Sequence, residues 1–88
     1  LGGHAFTDES IVNDPELVLR WIQFGVFTPI FRTHATNDAR IERRIWKFDN
    51  FPTMLEAVRL RYSLFPYLYT MARKAYDTGI SVCRPLYY

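Results

Sequence analysis

The sequence predicts an α/β protein, built as a piece of a parallel sheet flanked by helices. Residues 26–34 (VFTPIFRTH) are rich in aromatic and β-branched side chains, as is typical of a strand. Apolar residues recur at helical spacing before and after this run, and a second apolar run covers residues 80–88. The order loop, helix, strand, loop, helix, strand is typical of a parallel α/β fold.

The first helix is expected over residues 15–24. It follows the sequence NDPE at 13–16, which supplies an N-cap candidate, a proline at the first helical position and an acid in the first turn. Gly25 is expected to end it as the C′ residue. The apolar stripe of this helix is predicted to contain Leu17, Trp21 and Phe24, widened by Val18 and Ile22.

The strand predicted at 26–34 ends in two polar side chains. Alternation along a strand places Arg32 and His34 on the same face. In α/β barrels, ligand-binding groups gather at the C-terminal ends of the strands. A guanidinium and an imidazole there can hydrogen-bond hydroxyl groups or orient a carboxylate. From spacing alone, a structural ion pair or a buried, satisfied histidine is the alternative.

A polar loop over 35–50 and a long helix over 54–76 are expected next. Thr53 and Glu56 match a capping box at the start of the helix, and Pro66 is expected to kink it near residues 62–63. Asp77-Thr78-Gly79 should end it. In the loop, Trp46 is expected either to pack onto the body or to offer its ring to a ligand.

The long helix is apolar on most of its surface and would measure about 35 Å. A compact globule of this length has a radius of gyration of only about 12 Å. Aromatic residues make up 17% of the 88 residues, more than so short a chain is expected to bury. We therefore expect a segment of a larger protein.

Composition argues against several function classes. The net charge is only +2 and the basic residues alternate with acids, so neither nucleic acid nor a membrane surface is an expected partner. The single cysteine, Cys83, lies in an apolar run and is expected to be a buried residue with a packing role.

No complete catalytic constellation is recognisable in the sequence. His4, Asp8 and His34 lack a recognised metal-ligand spacing, so we expect neither a metal site nor a cofactor.

Several motifs, in order and nearly spanning the chain, resemble the C-terminal part of the catalytic barrel of glycoside hydrolase family 31. That family includes α-glucosidases and α-xylosidases. The stretches that carry the resemblance are residues 2–3 (GG), 16–34 (ELVLRWIQFGVFTPIFRTH), 59–69 (RLRYSLFPYLY) and 84–88 (RPLYY).

The resemblance implies a (β/α)8 barrel flanked by β-sandwich domains. Residues 1–79 would form the end of the barrel, and residues 80–88 the start of the following sandwich domain. Members are retaining glycosidases that use two aspartates, and the resemblance places both upstream of this chain. We therefore expect no catalytic residue here and no activity from the chain alone.

The resemblance also implies substrate-binding residues. His34 resembles the family histidine that hydrogen-bonds sugar hydroxyls in the −1 subsite, and Arg32 resembles the arginine beside it. His4 stands where many members carry an aromatic residue that lines the subsite. Trp46 falls near a family tryptophan, for which a structural role is the favoured interpretation.

The implied function is part of a retaining α-glycosidase acting on α-linked oligosaccharides or glycosides, with the rest of its own barrel and sandwich domains as partners. The alternative is a non-catalytic carbohydrate-binding or interaction segment of an inactive homologue. The presence of the two upstream aspartates distinguishes them, because the fold alone does not establish activity.

Overall fold

The structure is a computed structural model that describes residues 14–35 and 37–87. In these residues it contains three α-helices and one short 3-10 turn. They are α1 (Pro15–Gly25), the 3-10 turn Ile45–Lys47, α2 (Phe51–Ser63) and α3 (Phe65–Thr78).

Helix α1 begins as its sequence predicts. Oδ1 of Asp14 accepts hydrogen bonds from the backbone N–H groups of Glu16 (3.0 Å) and Leu17 (3.3 Å), which have no partner inside the helix. The predicted N-cap is therefore confirmed. Proline in the first turn costs no helical hydrogen bond, because its missing N–H would be unpaired there.

The predicted end of α1 at Gly25 is wrong. Gly25 is still helical, and the backbone of Val26 continues in the right-handed region and donates to the carbonyl of Ile22 (3.1 Å). The carbonyl of Gly25 accepts from the backbone N–H of Thr28 (3.1 Å). Because the end of the helix finds these partners in a right-handed turn, it does not need a left-handed glycine.

The core lies between α1 and α2. Ile22, Val26 and Met54 are at most 1% exposed, and Leu19, Phe48 and Ala57 complete the buried cluster. Fully burying one large aliphatic side chain contributes about 1.5–3 kcal/mol. The face of α1 that packs is therefore the one with Leu19 and Ile22.

The predicted apolar stripe of α1 faces outward. Leu17 is 54% exposed and Phe24 is 65% exposed, while Trp21 rests edge-on against Phe24 with ring centroids 5.8 Å apart. The two residues predicted to widen this stripe do pack: Ile22 is buried, and Val18 lies against the core cluster. The prediction that Leu17, Trp21 and Phe24 form the packed stripe is wrong for this chain.

Two separate helices, each with a proline near its start, replace the single kinked helix expected over 54–76. Pro52 and Pro66 each occupy the second position of a helix, where the missing N–H costs nothing. The break falls at Leu64, whose N–H is shared between the carbonyls of Leu60 (3.1 Å) and Arg61 (3.2 Å).

The capping box predicted at Thr53 and Glu56 is wrong, because α2 begins at Phe51, three residues before the predicted start, and both positions lie inside it. The predicted end of the long helix is confirmed: α3 stops at Gly79, whose φ of 74° is the left-handed conformation that glycine tolerates best.

Both predicted strands are absent from the described residues. Residues 26–29 form a turn after α1, residues 30–35 are irregular, and residues 81–87 contain bends and a turn. A strand is held by main-chain hydrogen bonds to a neighbouring strand, and no second strand lies alongside either run in this part of the chain. The strand predictions at 26–34 and 80–88 are corrected accordingly.

The chain is elongated, with a radius of gyration of 15.4 Å and extents of 46 × 26 × 23 Å. Helix α3 exposes most of its aromatic rings, among them Phe65, Tyr69 and Tyr76. No helix within 14–35 and 37–87 combines the length and apolar character required to cross a lipid bilayer.

The loop between α1 and α2 is braced by two local arginine–carboxylate pairs. Arg40 contacts Asp38 (Nη2 to Oδ2, 2.6 Å) and Arg44 contacts Glu42 (Nη2 to Oε2, 2.8 Å). Side-chain hydrogen bonds from Arg40 lower the pKa of Asp38 to about 2, and those from Arg44 lower the pKa of Glu42 to about 2. Both carboxylates also accept backbone N–H groups, so they shape the loop main chain.

The N-cap of α1 can be tested by mutation. Asp14→Ala should lower the free energy of unfolding of the protein by about 0.5–2 kcal/mol, because two N–H groups of α1 lose their acceptor. Thr53→Ala, inside α2, is the matched control and should change it by less than about 0.5 kcal/mol. Urea denaturation measures both, and a larger loss for Thr53→Ala would contradict the assignment of the helix starts.

The loop pairs predict a pH dependence. Because the folded pKa values of Asp38 and Glu42 lie below their ordinary values, both pairs are fully formed above pH 5 and are lost as the pH falls toward about 2. Carboxyl-carbon chemical shifts should therefore titrate near 2. Arg40→Gln should return the pKa of Asp38 toward its usual range and leave that of Glu42 low; parallel changes at both carboxyls would contradict separate pairs.

Candidate functional site

The structure brings Arg32 and His34 together. Nη2 of Arg32 contacts Nδ1 of His34, and both residues are exposed. A guanidinium has only donors, so in this contact Nδ1 of the imidazole is the acceptor. The pair therefore brings an imidazole and a guanidinium together on one short segment, a combination suited to hydroxyl or carboxylate oxygens.

Arg61 of α2 holds the segment that leads to this pair. Its Nη1 donates to the carbonyls of Val26 (2.8 Å) and Thr28, and its Nη2 donates to the carbonyl of Pro29 (2.9 Å). The guanidinium carbon also lies 5.6 Å from the ring centroid of Phe31, a cation–π contact. One half-buried side chain thus binds residues more than 30 positions away.

Sequence reasoning assigned no role to Arg61. The available signal is an arginine within the apolar stretch RLRYSLF at 59–65, where a half-buried cation needs partners. The sequence does not reveal that these partners are backbone carbonyls.

A cavity of about 610 Å³ lies between this segment and the loop, within the usual size range of small-ligand sites. Its wall includes Phe31, Arg32 and Thr33 from the segment and Glu42, Arg44 and Trp46 from the loop. Arg32 lines the cavity, whereas His34 does not.

The loop is attached to the body by Phe48, which is buried in the core, and by Ile45, which packs against it. Trp46, between them, is 63% exposed at the cavity wall. Trp46 was expected either to pack onto the body or to offer its ring to a ligand, and its exposure at the cavity wall fits the second alternative better.

Other residues singled out in the sequence do not join this site. His4 and Asp8 lie outside the described residues. Within residues 14–35 and 37–87, no three His, Cys, Asp or Glu side chains gather as metal ligands. Cys83 is exposed, so its predicted burial is wrong; the run around it does not form the packed strand on which that expectation depended.

Comparisons with a family model and with individual known proteins agree on one family. The model of the glycosyl hydrolases family 31 TIM-barrel domain matches residues 1–71. No solved structure gives a significant match.

Curated relatives cover most of the chain. A probable glucan 1,3-alpha-glucosidase of Oryza sativa is 47% identical over 76 residues, which are 84% of this chain and 8% of the relative. A 1,6-alpha-glucosyltransferase of Sporosarcina globispora is 43% identical over 83% of this chain and 6% of its own length. An alpha-xylosidase of Saccharolobus solfataricus is 37% identical over 81% of this chain and 10% of its own length.

The chain thus spans a tenth or less of each of these relatives. The domain match covers well over half of the chain, and each relative exceeds 30% identity over more than two thirds of it. The chain therefore belongs to glycosyl hydrolase family 31, through the TIM-barrel domain of that family.

Proposed function

We propose that the chain supplies part of the −1 sugar subsite of a retaining α-glycosidase, with His34 and Arg32 as substrate-binding side chains. The observation that carries this is the contact between Nη2 of Arg32 and Nδ1 of His34. It directs the proton of the neutral ring to Nε2, where it can be donated to a sugar hydroxyl. Family membership and relatives named as glucosidase and xylosidase support the substrate class.

The reaction needs such donors at its transition state. A retaining glycosidase forms and hydrolyses a covalent glycosyl-enzyme through transition states of oxocarbenium character, using two carboxyl groups. Both catalytic aspartates are expected outside this chain. Hydrogen bonds to the sugar hydroxyls that strengthen in the transition state raise kcat rather than merely tightening substrate binding.

Arg32 has two roles in this proposal. It holds the imidazole in one tautomer through Nδ1, and its remaining N–H groups are donors to the same sugar. His4 is proposed as a further wall of the subsite on the strength of the family resemblance. The exposed outer faces of α1 and α3 are proposed to pack against the rest of the barrel, and residues 80–88 to lead into a β-sandwich domain.

Replacing the imidazole tests the proposal. His34→Ala in the full-length protein should lower kcat/KM on an aryl α-glucoside by about 10- to 1,000-fold, equivalent to ~1.4–4 kcal/mol of lost transition-state contact. Lys74→Ala, an exposed change on α3, is the control and should leave kcat/KM unaltered. Normal kcat/KM for His34→Ala removes His34 from the subsite.

The guanidinium is tested separately. Arg32→Lys keeps the charge but loses the planar fork, so kcat should fall by about tenfold or more with a smaller change in KM. Steady-state kinetics on the same glucoside measure both constants. Wild-type kinetics would show that Arg32 does not act on the reacting sugar.

The same assay distinguishes the non-catalytic alternative. A retaining α-glycosidase should release the aglycone of the aryl α-glucoside and form the α-anomer first, as polarimetry or NMR detects. Binding of an α-linked oligosaccharide without any release would instead favour an inactive carbohydrate-binding homologue.

A further inference from the structure

We propose that Arg61 is a positioning residue for the sugar-binding pair: by binding the carbonyls of Val26, Thr28 and Pro29, it fixes the point from which Arg32 and His34 project. This inference rests on the proposed function of that pair. Arg61 itself lies on α2 and acts on the site only through the intervening main chain.

The carbonyl of Val26 needs a donor from outside its own segment. Val26 is 1% exposed and follows the end of α1, where the last carbonyls have no partner within the helix. A buried backbone carbonyl left unpaired is costly, so the native structure must supply a donor. Arg61 supplies one to Val26 and, from the same guanidinium, donors to Thr28 and Pro29.

Arg61 uses its two terminal nitrogens, Nη1 and Nη2, for these main-chain hydrogen bonds. In the described residues no carboxylate lies within salt-bridge distance of it, in contrast to the local pairs that Arg20, Arg40, Arg44 and Arg73 form. Its hydrogen bonds go to main-chain oxygens, and its face lies over Phe31. The guanidinium therefore contacts the segment from residue 26 to residue 31, immediately before Arg32.

The geometry requires arginine in particular. A guanidinium is planar and has five N–H donors and a flat face. It can therefore donate to three carbonyls that lie in different directions and also stack over an aromatic ring. An ammonium group has three donors on one nitrogen and no flat face, so Arg61→Lys keeps the charge but loses part of the clamp. Arg59, two residues earlier and exposed, is the matched control.

A double-mutant cycle with His34 tests the positioning role. In the full-length protein, at a temperature well below the unfolding transition, Arg61→Lys should lower kcat/KM on an aryl α-glucoside by about tenfold. In the His34→Ala background the same change should cost less than about twofold, because it acts through the imidazole already removed. Arg59→Lys should have no effect in either background.

Equal effects of Arg61→Lys in both backgrounds would overturn the proposal, because general loss of folded enzyme is additive with the loss of His34. The cycle thus separates a positioning role from a merely structural one.

Hydrogen exchange of the peptide covering residues 26–34 provides a readout that does not depend on activity. Arg61→Lys should raise exchange there while Arg59→Lys leaves it unchanged, since only the first releases the clamped carbonyls and loosens the turn. Unchanged exchange overturns the proposal whatever the kinetics show. A third outcome is raised exchange in Arg61→Lys together with a normal kcat/KM for His34→Ala. It would show that Arg61 does hold residues 26–29, but it would overturn both the proposed subsite and the positioning of His34 for it.

Discussion

The contact between Arg61 and the carbonyls of Val26, Thr28 and Pro29 is the constraint on which the arrangement of this chain depends. It joins α2 to the end of α1 where the helix runs out of internal donors. Beside it, Val26 and Ile22 pack on Met54, so the polar clamp and the apolar core hold the same two elements. The segment after Pro29 leaves this junction in a fixed direction and carries the candidate site.

Two local signals in the sequence, at Asp14 and Gly79, predicted local structure correctly. Asp14 and Gly79 set a helix start and a helix end because a cap uses atoms within a few residues of itself. The strands could not be predicted reliably because a strand needs a partner that the sequence of the strand does not specify. Pro66 predicted a kink within one long helix, whereas it stands at the second position of its own helix, α3.

The candidate site was predicted in part. Residues two apart were expected to share a side, and Arg32 and His34 do meet, although the segment is not a strand. The role of Arg61 was not predicted, because its partners are main-chain atoms more than 30 residues away and carry no side-chain signature. The family match adds what the local contacts lack, since it relates these residues to a barrel domain.

The break at Leu64 separates two helices with different surroundings. Helix α2 is tied to α1 by the core, whereas α3 makes few contacts within the described chain and displays its rings outward. The rings that α3 displays and the guanidinium that holds residues 26–29 are therefore carried by different helices.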